Sequence, residues 1–314
     1  MDTWIEHMRR GNFAAAWELS DAILRRRNGA PCWHLPRHEQ FVWNGASLAG
    51  KRVLVRCYHG LGDTVQFIRY ASLLAGIAAE VIVWVQPALL PLVRTVPGVH
   101  RVLPLHDGAP DAEFDADVEI MELPHIFRTV LATVPAAVPY LHVEPAALPA
   151  HPATGKRPPG LAVGLVWQAG DWDSRRSLPV RLAARLAQVP GVSIYVLQRG
   201  EALADWPRGA GVLAGCDDIT MAGRIMRALD LVISIDSLPA HLAGALGVPV
   251  WTLLPAEADW RWLEAREDSP WYPTMRLFRQ AADRPDNWEP VIERVEAALA
   301  EATSLKIAQR FSAG

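Results

Sequence analysis

Over residues 2–28 apolar side chains recur at helical spacing, first Trp4, Ile5 and Met8, then Phe13, Ala16, Trp17, Ala22, Ile23 and Leu24, with a break at Gly11-Asn12. That pattern predicts a short helical hairpin. Arg25, Arg26 and Arg27 close its second helix, where cations suit the negative end of the helix dipole. The proline-bearing stretch 29–50 has no such period and reads as a linker. From Lys51 onward short apolar runs alternate with amphipathic stretches. RVLVRCY (52–58), EVIVWV (80–85), HRVLPL (100–105) and the run from Asp115 to Met121 predict strands, with helices over TVQFIRYASLLAG and PALLPLVRTV. EPAALPAHPATGKRPPG (144–160) loses the period again and marks a domain boundary. The alternation then restarts: LAVGLVW (161–167), helix VRLAARLAQV, SIYVLQ, helix TMAGRIMRAL, LVISI, helix PAHLAGAL, PVWTLL and a final helix PVIERVEAALAEA.

Strand–helix alternation with short connections predicts an α/β protein with parallel, doubly wound sheets. The expected domains are 1–50, hairpin and linker; 51–150, a first Rossmann-like domain; and 151–314, a second one with the final helix. The two Rossmann-like domains are expected to face each other across a cleft. Ligands of such sheets sit beyond the carboxyl ends of the strands, so the loops there are where chemistry is sought.

Composition narrows the function. With 51% apolar and 21% charged residues among 314, the chain is an ordinary globular one. A formal charge of -3 speaks against a nucleic-acid binder. The cysteines Cys32, Cys57 and Cys216 lack metal-ligand spacing and read as small buried hydrophobes. No signal peptide or transmembrane run is evident, so the expectation is a cytoplasmic protein.

Five loops are candidates for chemistry. GLGD (60–63) follows a strand and offers Gly62 and the Asp63 carboxylate, but Val65 stands where a dinucleotide fingerprint needs glycine. Asp63 has two readings, a helix N-cap or a general base. SIDSLPAHLAGAL (234–246) brings Asp236, Ser237 and His241 to a helix start with Pro239 in an early position, a ready anion site. DWDSRRSLP (171–179) adds Arg175, Arg176 and Ser177, either phosphate ligands or a solvated pair. LQRGE (197–201) offers Arg199 and Glu201, the latter a ribose-binding candidate. DWRWLEAREDSPWYP (259–273) concentrates Trp260 and Trp262, which either stack on a ligand or pack between domains.

Together GLGDTVQFIRY, VGLVW, RRSLP, LQRG, SIDSLPAHLAGALGVPVW and DSPWYP, in this order from about Gly45 to Leu299, resemble glycosyltransferase family 9, which includes the ADP-heptose:lipopolysaccharide heptosyltransferases. The hairpin sequence RGNFAAAWELSDAIL resembles half of a tetratricopeptide repeat, and some relatives carry this domain after such repeats. The resemblance implies the GT-B fold and an inverting, metal-independent transfer of a heptose-like or hexose sugar from a nucleotide-diphosphate sugar, with no cofactor. The acceptor would be a glycan, a lipid-linked molecule, a protein or a small molecule. By the same resemblance Asp63 is the base and Arg176 neutralises the leaving diphosphate. Glu201 falls near a ribose-binding glutamate, and Asp236, Ser237 and His241 match a segment that holds the donor. Two departures touch the donor site: Leu238 replaces a glycine, and VWQAGDWD (166–173) replaces the usual loop. They motivate the alternatives, a catalytically silent GT-B nucleotide-binding or scaffold module, or a GT-B-type sugar-nucleotide epimerase.

Overall fold

The computed structural model describes residues 2–170 and 173–312, for 307–312 the backbone alone. The chain divides into two compact units. Unit 1 holds residues up to His142 and takes back Asp259–Ala265 and Pro270–Pro273, whereas unit 2 holds the rest.

Unit 1 begins with α1 (Trp4–Arg9) and α2 (Phe13–Arg27). The Thr3 hydroxyl accepts from the Glu6 N–H and the Glu6 carboxylate accepts from the Thr3 N–H, a capping box that starts α1. Asn28, in the left-handed region at φ 45°, ends α2. The hairpin is part of the unit 1 core: Met8, Phe13, Ala16 and Trp17 are buried. The supposed linker 29–50 is also anchored, with Cys32, Val42 and Leu48 buried.

Strands β1 (Arg52–Arg56), β2 (Glu80–Val85), β3 (Arg101–Pro104) and β4 (Ala116–Glu119) form a parallel sheet of order β3-β2-β1-β4. Leu54 pairs with Ile82, and β1 and β2 are apolar on both faces because both faces are covered. The amphipathic run after β1 is α3 (Leu61–Phe67), a 3-10 turn at Ile68–Tyr70 and α4 (Ala71–Ala75). At that turn Arg69 is buried, donating to the Gln66 carbonyl at 2.7 Å and the Tyr140 hydroxyl at 2.8 Å. The expected PALLPLVRTV helix shrinks to a 3-10 turn and α5 (Leu90–Val93), because Pro91 brings no N–H to continue the turn before it. Helix α6 (Leu123–Ile126) follows β4.

Unit 2 contains β5 (Leu161–Val166), α7 (Val180–Arg185), β6 (Val192–Val196), β7 (Val212–Leu213), α8 (Ile219–Met226), β8 (Leu231–Ile235), α9 (Leu238–Ala245), β9 (Val250–Leu254), β10 (Met275–Arg279) and α10 (Glu289–Ser312). All six strands are parallel in the order β10-β9-β8-β5-β6-β7. Read from β7, that is the doubly wound order 3-2-1-4-5-6, which reverses direction between β5 and β8. Its core joins Val163, Leu165, Ile233 and Leu253 of the strands to Val291, Ile292, Val295 and Leu299 of α10. Trp167 stacks on Trp206 with ring centroids 4.5 Å apart. Among the described residues no helix is long and apolar enough to cross a membrane.

Candidate functional site

The first strand of unit 2, β5, ends at Val166, and β8 ends at Ile235, one on each side of the reversal in strand order. Beyond these ends lies a cavity of about 480 Å³. Gln168, Ala169 and Gly170 wall it after β5, Gln198, Arg199 and Glu201 after β6, and Ser237, Leu238 and Pro239 at the start of α9. The sequence-derived residues Arg199, Glu201 and Ser237 thus meet at one cavity at the topological switch point.

Ser237 precedes α9 but leaves its first turn without a side-chain cap. The Ser237 hydroxyl donates to the Ile235 carbonyl at 3.3 Å instead. Pro239, in the first turn, has no N–H. A helix start left open in this way, with its positive dipole end at a cavity, suits an anion. Arg176 stands beside it: its Nη1–H donates to the Asp236 carbonyl at 2.9 Å, and its Nε is buried without a partner. Arg175 is turned away, paired with Asp173 at 3.0 Å and exposed. Ser177 shapes the wall, its hydroxyl accepting from the Ala169 N–H at 3.3 Å. Asp236 and His241 are buried, 3.9 Å apart, beneath the helix start. Arg199 is engaged by Asp217, and Glu201 is exposed at the rim. The divergent loop 168–173 is described only in part, since residues 171–172 lie outside the described residues.

Two residues of this cavity carried no signal in the sequence. Gln198, 9% exposed, accepts from the Trp167 N–H at 3.1 Å and the Gln168 N–H at 2.9 Å, clamping the loop after β5. An amide in a loop has no period, and only the pairing of β5 with β6 brings it to those donors. Gly215 is the second: a Cβ there would lie 2.7 Å from the carbonyl oxygens of Leu197 and Gln198, so only glycine lets the strand ends close up. Cys216 also lines the cavity and is half-buried, where burial raises its thiol above the usual range.

The remaining candidates lie in unit 1. Asp63 does not occupy the N-cap position, which is Gly60; it is the third residue of α3. Its Oδ2 accepts from the Gly60 N–H at 2.9 Å, and its Oδ1 from Arg261, which Asp259 holds in turn at 2.8 Å. Gly62 lies in the same first turn. Trp262 is wholly buried and so has no face to offer a ligand, whereas Trp260 borders a cavity of unit 1. His59 lies 3.6 Å from Glu119, and burial lowers its pKa below the usual histidine value. Among the described residues no three His, Cys, Asp or Glu side chains group as a metal site would require.

No protein-family model matches the chain. Protein FlbA of Caulobacter vibrioides is 30% identical over 327 residues, covering 92% of this chain and 52% of that protein. The chain therefore spans about half the length of this curated relative. A glycosyl transferase family 9 structure from Veillonella parvula superposes with a TM-score of 0.56 at 12% identity, over 75% of this chain and 87% of that one. The E. coli heptosyltransferase WaaC with ADP-2-deoxy-2-fluoro heptose gives 0.50 at 14% identity, over 80% and 99%. At such identities the likeness establishes the architecture, and the chain has the GT-B fold of these two proteins.

Proposed function

We propose that this chain is a glycosyltransferase that moves a sugar, heptose-like or hexose, from a nucleotide-diphosphate donor to an acceptor hydroxyl, inverting the anomeric carbon and without a metal. The observation that carries the proposal is the unit 2 cavity at the switch point, lined by the open start of α9, with Arg176 bonded to the Asp236 carbonyl just before that start. Negative charge builds on the departing phosphate as the anomeric carbon becomes cation-like. Helix N–H groups and a guanidinium fixed in advance oppose that charge without reorganising, and losing one such donor typically costs ~2.7–4 kcal/mol of barrier. Gln198 and Ser177 act as positioning residues, holding the loop after β5. Glu201 and Arg199 at the rim are assigned to the nucleoside end. Asp63 is assigned the acceptor proton, a role worth typically ~10²–10⁴-fold in rate. Its carboxylate is given a fixed direction by the Gly60 N–H and Arg261. A cytoplasmic location belongs to the same proposal.

WaaC, similar in fold, holds an ADP sugar, which puts ADP sugars first in a donor panel with GDP, UDP and dTDP sugars. The protein should gain thermal stability with one nucleotide of that panel and turn over its sugar, since a ligand that binds the folded chain stabilises it by an amount that grows with the logarithm of its concentration over Kd. Asp63→Asn should abolish transfer and leave nucleotide affinity nearly intact. Normal transfer by that variant would remove Asp63 from the chemistry. No nucleotide binding at all would remove the donor site. One observation favours a silent nucleotide-binding module: both Asp63 oxygens already have partners within unit 1. Tight nucleotide binding with neither transfer nor donor hydrolysis across the panel is the result that reading expects.

A further inference from the structure

Unit 1 encloses a cavity of about 390 Å³ that the transferase proposal leaves unused. Trp4, Trp17, Trp43 and Trp260 border it. Trp4 meets Trp260 edge to face with centroids 5.6 Å apart, and His125 stacks on Trp17 at 5.6 Å. Three of the indole N–H groups are spent inside the protein. Trp4 donates to the Ser20 hydroxyl at 3.1 Å, Trp17 to the Thr129 carbonyl at 2.6 Å and Trp43 to the Ala46 carbonyl at 2.9 Å.

Among the polar groups of this cavity are an amide oxygen and two buried carboxyl groups. Gln40 is 9% exposed; its Nε2–H donates to the Leu35 carbonyl at 2.8 Å, which fixes the amide, and its Oε1 is buried with no partner. Glu119, 1% exposed, accepts from the Met121 N–H at 2.6 Å and the Tyr58 N–H at 3.3 Å. Glu122 accepts from the Trp43 N–H at 2.9 Å and the Glu119 N–H at 2.7 Å. Each carboxylate has about four lone-pair sites, so both keep capacity. Burial raises both carboxyl groups, Glu122 to about 7, and at Glu122 it outweighs the opposing charge of Arg27. Glu39 adds a further carboxylate to the wall. The wall also carries basic groups: His59 lies 3.6 Å from Glu119 and His38 3.6 Å from Glu39, while Arg27 and His125 make their hydrogen bonds to other partners. Arg27 donates to the carbonyls of Ala30, at 2.7 Å, and Phe41, and His125 bonds Asp21 at 2.8 Å. Burial also lowers the pKa of His125 and His59, which favours their neutral forms.

We infer that this cavity binds a small organic ammonium ion, a protonated primary amine on an aromatic or short aliphatic body, with its N–H groups toward Gln40 Oε1 and the carboxylates and its charge over the indole faces. The ligand supplies a donor for the orphaned amide oxygen and a positive charge beside the buried acids, where burial favours the neutral form of the neighbouring His59. Nothing here depends on unit 2 or on glycosyl transfer.

Three probes of one shape test the assignment on the whole chain by calorimetry and tryptophan fluorescence: benzylammonium, benzyl alcohol and benzoate. Benzylammonium should bind and change the tryptophan emission. The alcohol should bind about tenfold or more weakly, the worth of one hydrogen bond to a charged group, and benzoate should not bind. Equal binding of all three, or no binding of benzylammonium, overturns the inference. Gln40→Leu, of similar size, should weaken benzylammonium about tenfold while the chain still melts cooperatively. Unchanged affinity in that variant places the amine elsewhere and likewise overturns it.

Discussion

Replacing Gln198 by leucine tests whether a single buried amide organises the unit 2 cavity. Leucine keeps much of the volume and removes the oxygen that accepts from the Trp167 and Gln168 N–H groups. Trp167 is 1% exposed, so water cannot replace its lost acceptor, whereas Gln168 is exposed and rehydrates. One stranded buried donor costs about 1–3 kcal/mol. At about 2–4 °C per kcal/mol for a unit of this size, the unit 2 melting transition should fall by roughly 2–12 °C. The loop after β5 also loses its clamp, so ADP, read by calorimetry, should bind more weakly than the loss of one contact explains. Gln198→Glu keeps an acceptor at the same place and should recover most of the melting temperature. A leucine variant that melts within about 1 °C of the parent and binds ADP unchanged would show that the two N–H groups need no acceptor there, and the clamp would fall with it.

Arg176→Ala should weaken ADP binding about tenfold or more, the worth of one hydrogen bond to a charged group, with Arg176→Lys in between because a point charge replaces a fork; equal affinities in calorimetry would free Arg176 from the diphosphate. Gly215→Ala puts a Cβ 2.7 Å from two backbone carbonyls and should cost about 1–3 kcal/mol in a urea titration, and a neutral result would mean the strand ends part easily. Glu122 is raised from 4.5 to about 7 by burial, so the folded chain keeps a proton the unfolded chain gives up. Its contribution to stability is complete below about pH 4.5 and is lost as pH rises through about 7. Glu122→Gln should therefore match the parent in urea near pH 4 and exceed it near pH 8, and a gap that does not change with pH would refute the assignment.

The sheets were legible because their strands are covered on both faces, which leaves continuous apolar runs such as Val53–Val55 and Leu161–Val166. The same alternation pointed to the loops beyond the strand ends, and the observed strand order brings Arg199, Glu201 and Ser237 to one cavity at the switch point. What the sequence withheld depends on chain return and on single-residue register. Residues 259–265 sit in unit 1 although they follow β9 of unit 2, and no local period announces such a crossing. For that reason Trp260 and Trp262 could be noticed but not housed. Asp63 was read as a cap or a base, and its place three residues into α3 depends on the helix starting directly after Gly60.

The hairpin shows why composition and period alone understate unit 1. In a tetratricopeptide array its apolar face would lie on a neighbouring repeat. Here the neighbours are unit 1's own aromatic rings: Phe13 stacks on Trp271 at 6.3 Å and meets Trp260 edge to face at 6.4 Å, while the Glu264 N–H donates to the Arg9 carbonyl at 3.0 Å. Covering that face left room between α1, α2 and the segment after β4, and the room is walled by acceptors and indole faces. Unit 2 arrived at the opposite chemistry from the same kind of sheet, because an open helix start lines its cavity and Arg176 bonds the backbone just before that start. A parallel sheet therefore decides where a cavity forms, at strand ends or under an added hairpin. The sign of the charge it welcomes is set by which backbone groups and side chains are left unpaired there.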